Sequence, residues 1–243
     1  MIHGLYTAAG GMLVQQAALD ANANNLANAG TTGYRRQLVS VNSFPRALEN
    51  AWGMPAPLEE TTPSYVLTTA LANDGTIGIL RQTENPSDLA LRGDGFFIIR
   101  DGTGREALTR DGTFTLNPDN ELATADGWQV LGERGPITID SADWQVDPSG
   151  QVTVDGMVVD RLQVVRPDAG ATRIGHTRWT AAATTPVANP RVAQGYLESS
   201  NVNTVAEMVA LIAATRTFEA SQRCVQALDA TLDRAVNEVG RTA

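Results

Sequence analysis

A single cysteine, Cys224, stands in the whole chain, so no intrachain disulfide can form and a multi-cysteine zinc site is excluded. It is expected to pack as a small apolar residue. A hydrolase triad or a His-rich metal centre needs imidazole, and only His3 and His176 are present, far apart and with no partner motif nearby. Basic side chains are few as well: 18 Lys plus Arg stand against 27 Asp plus Glu, for a formal net charge of -9. Nucleic-acid affinity rests on cations that displace counterions, so no nucleic acid is expected as a partner. Long apolar runs are also missing. No Lys or Arg precedes the first apolar positions, and Gln15, Gln16 and Asp20 interrupt any run there, which argues against a cleaved signal peptide and against membrane insertion. At 243 residues the chain can bury one or two cores without a disulfide or a metal.

What is present falls into three zones. From residue 2 to 28 the spacing is that of a helical heptad: Ile2, Ala9, Gln16 and Ala23 form one set, and Leu5, Met12, Leu19 and Leu26 form a continuous apolar seam three residues after each. The remaining faces carry almost no charge, since Asp20 and His3 are the only acidic or basic side chains within residues 1–33. A solvated helix face normally carries charge, so this one is expected to be enclosed by neighbours. The C-terminal zone repeats in the same way, with Leu211, Phe218, Val225, Leu232 and Val239 at seven-residue spacing and Met208, Thr215, Gln222, Asp229 and Val236 three before each. Thr204 with Glu207 reads as the capping box that starts this helix, and Glu219 with Arg223 as a favourable i,i+4 pair.

Between the helices the periodicity changes. Asp-Gly recurs at 74–75, 94–95, 101–102, 111–112, 126–127 and 155–156, with short β-favouring runs such as Phe96–Ile99, Ile137–Ile139 and Val158–Val165. Asp-Gly tolerates the positive φ of tight hairpin turns, so the zone predicts consecutive antiparallel strands in a meander or small barrel-like sheet. Pro45 to Pro63 and Ala181 to Gly195 are rich in Pro, Thr, Ala and Asn and read as the connections into and out of it.

Catalytic signals are weak. Asp94, Asp111 and Asp126 are candidates for the paired carboxylates of glycoside cleavage, yet each precedes a glycine, and turn chemistry accounts for all three. The run Asn117-Pro118-Asp119-Asn120-Glu121 offers oxygen ligands but lacks the twelve-residue calcium-loop pattern. Gly93-Asp94-Gly95 has no third glycine or Lys-Ser/Thr at the spacing a phosphate loop needs. No catalytic residue, metal or cofactor is expected.

Five ordered motifs carry a resemblance. Ala23-Asn24-Asn25-Leu26-Ala27-Asn28 with Thr31-Thr32-Gly33-Tyr34 resembles the N-terminal signature of the flagellar rod, hook and hook-filament axial family. Asn85-Pro86 through Asp88-Leu89-Ala90 to Gly93-Asp94-Gly95-Phe96-Phe97 follows, then Thr109-Arg110-Asp111-Gly112 with Phe114, and Leu122 through Thr124-Ala125-Asp126-Gly127. Leu197-Glu198 with Ser200-Asn201-Val202-Asn203, leading to Glu207-Met208-Val209 and Arg216, Phe218 and Glu219, is similar to the family's C-terminal helix entrance. Val130-Leu131-Gly132 with Gly135-Pro136-Ile137-Thr138-Ile139 is similar to the proximal-rod member, which is favoured, whereas Gly4-Leu5-Tyr6-Thr7-Ala8-Ala9 looks more like the distal-rod member. Leu108 and Ser199 depart from the pattern, which has an aromatic residue and Gly or Ala there.

The resemblance implies an α+β fold: a discontinuous helical coiled-coil domain built from both chain ends, with an inserted all-β domain. The expected segments are an N-terminal axial helix segment (1–44), an extended linker (45–75), the inserted β domain (76–180), a second linker (181–195) and a C-terminal axial helix segment (196–243). The implied function is that of a structural subunit of the basal-body rod, which transmits torque for motility. Its expected partners are other rod proteins, copies of itself and the flagellar type III export apparatus, and its expected place is the periplasm-spanning rod. Subunit packing is assigned to Leu5, Met12, Leu19 and Leu26 against Leu211, Phe218, Val225 and Leu232, with Asn24, Asn25 and Asn28 at the helix end. The rival reading is an extracellular binding module or adhesin on an oligomerising helical stalk.

Overall fold

The computed structural model describes residues 2–43, 67–168 and 171–239, with the side chains of all of these except 2–7, 42, 43, 67–70, 232, 235, 236, 238 and 239. The fold is α+β: helix α1 (Ile2–Ala27), strands β1 to β18, and helix α2 (Thr204–Val239). Two compact units result, one of residues 1–27, 36–74 and 203–243 and the other of residues 28–35 and 75–202.

In the first unit α1 and α2 pack on each other, and α1 also packs on β1 (Gln37–Ser43) and β2 (Leu67–Asn73). β1 and β2 pair antiparallel in unbroken register, from Gln37 opposite Asn73 to Ser43 opposite Leu67. β2 lies within the stretch read as an extended linker; its Leu, Thr and Ala residues can alternate across a pleat. Residues 45–66 of that stretch lie outside the described residues. Among the described residues no helix is long and apolar enough to cross a membrane. Cys224 is exposed rather than packed. It precedes the half-buried Val225 and is therefore turned about 100° around the helix from that side chain.

The second unit is β-rich and antiparallel throughout. Its central strand, β5 (Phe96–Arg100), pairs with β6 (Glu106–Thr109), β9 (Gln129–Val130) and β13 (Val164–Pro167). The run Phe96-Phe97-Ile98-Ile99 has no polar alternation, as a strand covered on both faces requires. Phe97 and Ile99 join Leu89, Phe114, Leu122 and Val130 in the main core, while Ile98 joins Leu108, Val165 and Trp179 in a second cluster. The Phe97 and Phe114 rings meet edge to face at 5.4 Å between centroids, the arrangement their quadrupoles favour.

β7 (Phe114–Leu116), β8 (Leu122–Thr124) and β9 follow one another as a meander. β10 (Trp144–Val146), β11 (Gln151–Val154) and β12 (Met157–Arg161) form a separate three-stranded sheet. Asp155-Gly156 links β11 to β12 with φ of 50° and 78°, the primed turn that Asp-Gly predicts. At Gly112 the glycine has another role: a Cβ there would lie 1.6 Å from the Leu89 carbonyl oxygen, so close backbone approach requires it. Two strands, β16 (Thr184–Pro186) and β17 (Val192–Gln194), occupy the stretch read as the exit connection and pair with β13 and with β4 (Leu89–Leu91).

Candidate functional site

Along α1, Met12, Leu19 and Leu26 are half-buried, whereas Ala9, Gln16 and Ala23 of the other heptad set are exposed. On α2, Leu211, Phe218 and Val225 are half-buried, and the side chains of Leu5 and Leu232 lie outside the described residues. The companion set differs from expectation. Met208, Gln222 and Asp229 are exposed, and the covered stripe runs instead through Ala214, Ser221 and Leu228, three residues after each anchor. Small side chains let two helix axes approach, which favours the flank that carries Ala214 and Ser221.

Both helices keep apolar surface open to solvent. Leu13 of α1 is 72% exposed, and Val205, Met208, Val209 and Ile212 of α2 are 65%, 45%, 62% and 53% exposed. Their spacing of three, four and seven residues places the α2 group on one face.

A polar knot ties this unit together. The buried Asn25 amide donates to the Gln37 carbonyl at 2.9 Å and accepts from the Gln37 amide at 2.8 Å, pairing with both backbone groups of a strand residue. It also donates to Oε2 of Glu207 at 3.3 Å, while Nε of Arg36 donates to Oε1 of Glu207 at 2.5 Å. Glu207 is thus turned inward. Asn203 caps α2, its Oδ1 accepting from the Val205 and Ala206 amides, both at 3.1 Å, in place of the expected Thr204 hydroxyl. The Glu207 amide makes the first helical bond to the Asn203 carbonyl at 2.9 Å. Asn24 is exposed, and the buried Asn28 accepts from the Thr31 hydroxyl at 3.3 Å.

In the β-rich unit the recognised motifs meet at a second knot. Glu198, at the end of β18 (Tyr196–Glu198), is buried with Arg35 and Arg110, and its two oxygens each receive a guanidinium at 3.0 Å. The Gly78 amide adds a bond to Oε1 at 3.1 Å. Burial pushes the Arg110 guanidinium below its ordinary pKa, and the Glu198 carboxylate opposes that effect. Gly33, at φ 65°, lies against the backbone of Arg110 and Asp111, where a Cβ would come within 2.4 Å. The Thr32 hydroxyl donates to Asp111 at 2.6 Å. Tyr34 stacks on the Arg173 guanidinium, which also lies over Trp179, 4.5 Å from each ring centroid. The side chains of Thr32, Tyr34 and Arg35 therefore each have a fixed seat. Sequence reasoning missed Arg35, Arg36, Glu198 and Glu207 as buried charges. The available signal was that Arg35 and Arg36 end a stretch otherwise nearly free of charge.

The carboxylates weighed for acid/base work are all engaged. Asp111 holds Thr32 and the Thr113 amide, Asp126 is paired with Arg178, and Asp94 is 3.4 Å from Arg166. Asp111 and Asp126 line one cavity of about 310 Å³ together with Thr32, Thr109 and Thr124, and Asp94 lines another.

Comparison with known proteins gives three family matches in the order of the motifs. Residues 5–35 match "Flagella basal body rod protein", residues 90–154 "Flagellar hook protein FlgE/F/G D1 domain", and residues 193–238 "Flagellar basal body rod FlgEFG protein C-terminal". The chain is similar over its length to the flagellar basal-body rod protein FlgF of Escherichia coli (strain K12), at 34% identity covering 97% of each chain. It is 34% identical to the FlgF protein of Caulobacter vibrioides over 99% of each chain, and 31% identical to the flagellar basal-body rod protein FlgG of Borreliella burgdorferi over 98% of each. With family matches at both helices and in the β-rich unit, and relatives aligned end to end, the chain belongs to the flagellar basal-body rod protein family and is a structural protein of the rod.

Proposed function

We propose that this chain builds the rod through its two terminal helices. Copies of the chain and other rod proteins pack through Leu5, Met12, Leu19 and Leu26 with Leu211, Phe218, Val225 and Leu232 as a coiled coil, and the β-rich unit is an insertion between the two helices. Asn24, Asn25 and Asn28 bond at the end of α1 or to neighbours. The observation that carries this reading is the exposed face of α1, where Ala9, Leu13, Gln16 and Ala23 accompany a single charged residue, Asp20. Such a face suits protein neighbours better than water. The relatives named FlgF support the proximal rod.

The subunit works without catalysis, cofactor or metal. A shaft resists twisting through many parallel contacts, and burying one Leu or Phe contributes on the order of 1.5–3 kcal/mol. Passage through the flagellar type III export apparatus, with no membrane insertion, completes the proposal. The adhesin alternative finds no support among the relatives.

Leu19→Asp tests the seam. It is expected to abolish rods in isolated basal bodies and swimming on soft agar, while the near-ultraviolet dichroism of Trp128, Trp144 and Trp179 in the β-rich unit is unchanged. Normal swimming would refute the assignment. Full complementation by Asp111→Asn is expected of a non-catalytic subunit.

A further inference from the structure

The chain is acidic overall, yet one surface of the β-rich unit is not. A cavity of about 280 Å³ is lined by Arg92, Arg166 and Arg191 with Asp94 as its one carboxylate. Asp94 is 3.4 Å from Arg166, while Arg92 and Arg191 are in no ion pair among the described residues. Between the cations lie apolar groups, the buried Val164 and Pro190 and the half-buried Val187. Three guanidinium groups around an apolar floor suit a ligand that carries carboxylates beside an apolar side chain.

The same unit presents such a feature elsewhere. At the β11–β12 turn Met157 is 72% and Val158 59% exposed, a large apolar pair at a hairpin tip. The tip is ringed by acid: Asp155 is in the turn, its amide donates to the Asp143 carbonyl at 3.0 Å, and the Ser141 hydroxyl ties the 140–143 loop to the Asp155 carboxylate at 2.8 Å. Asp140, Asp143 and Asp155 are all exposed. Other carboxylates of this unit lack this combination: the half-buried Asp101 is saturated by Thr103 and Arg105, and of the exposed ones Asp126 is held by Arg178 and Glu133 lies 4.0 Å from Arg161.

The two features sit at opposite ends of the three-stranded sheet. In the β10–β11 hairpin Trp144 pairs with Val154 at the tip end and Val146 with Val152 at the other. The 147–150 turn at that far end reaches the cavity, since Pro148 accepts from the Val192 amide at 3.0 Å and a Cβ on Gly150 would lie 3.6 Å from Pro190. The four residues of β11 separate the ends by about 13 Å at ~3.3 Å per residue. One subunit therefore cannot close on itself through them, but a second copy can continue the series, because a head-to-tail contact between unlike surfaces propagates.

We propose that the arginine-lined cavity receives the Met157–Val158 tip of another copy of this chain, with Asp143 and Asp155 opposite Arg92 and Arg191. The inference rests on the proposed self-assembly and names a contact made by the β-rich unit independently of the helices.

The test is sedimentation velocity of the full chain over a concentration series at low and high salt. Wild type is expected to self-associate more weakly as salt rises. Arg191→Glu and Asp143→Arg, both at exposed side chains, should each weaken association at least about tenfold. An equimolar mixture of the two variants should recover it, because each supplies the charge that the other now needs. Unchanged association in both variants, or a mixture as weak as either alone, overturns the contact, as does a wild type that stays monomeric throughout. Leu19→Asp run in parallel separates this contact from the seam: loss of association there with none in the two charge variants removes the tip contact and leaves the helix reading standing.

Discussion

The two units of this chain bury apolar side chains to very different extents. The β-rich unit encloses Leu89, Phe97, Ile99, Phe114, Leu122 and Val130 at 0% exposure. In the helical unit the buried apolar residues, among those described, are Ala21 and Ala214, and the most deeply buried side chains are the polar Asn25 and Glu207. One unit thus completes a core by itself. The other holds its shape with a polar knot and a half-covered seam, and leaves Leu13, Val209 and Ile212 to solvent. Apolar area kept in water is free energy still to be gained on association.

Substitutions can sharpen this contrast or break it. The largest effect is expected from Phe97→Ala, which empties the centre of the β core and costs about 3–5 kcal/mol. Urea unfolding followed by tryptophan fluorescence reads it, with Trp52 replaced by Phe so that the remaining tryptophans, Trp128, Trp144 and Trp179, all lie in this unit. Glu198→Gln comes next, at roughly 3 kcal/mol in the same assay, because Arg35 and Arg110 stay buried without their countercharge. In the helical unit Asn25→Ala leaves the Gln37 backbone pair and Glu207 short of partners. It should lower the local stability of α1 by about 1–3 kcal/mol in hydrogen exchange and leave the tryptophan transition unmoved. Val209→Ser should change the stability of the isolated subunit least, by less than about 0.5 kcal/mol, yet reduce its incorporation into rods. A large stability loss at Val209 would mean that the helical unit is as self-contained as the β-rich one.

Much of the architecture was legible because it depends on local periodicity. The heptad anchors Leu19 and Phe218 marked the helices, and Asp155-Gly156 marked a hairpin whose two positive φ angles only such a pair adopts readily. What stayed hidden depends on contacts between distant residues. Nothing near Leu67 signals that it pairs with Ser43, because strand pairing across a long connection leaves no local trace. The inward turn of Glu207 was masked by a capping box that fits the same residues; the nearby Asn203 is the stronger cap and frees the carboxylate for Arg36 and Asn25. Glu198 and Arg110 stand in separate motifs with no local sign of pairing, and only the fold brings them together, 88 residues apart in sequence.

Hydrogen exchange measured by mass spectrometry on the full-length subunit, free and assembled in basal bodies, addresses the contrast most directly. In the free subunit, slow exchange is expected across the strands of residues 75–202, with markedly faster though still partly protected exchange along α1 and α2 that slows to the level of the strands only on assembly. Equal protection of both helices and the β core in the free subunit would show that the chain ends need no neighbours.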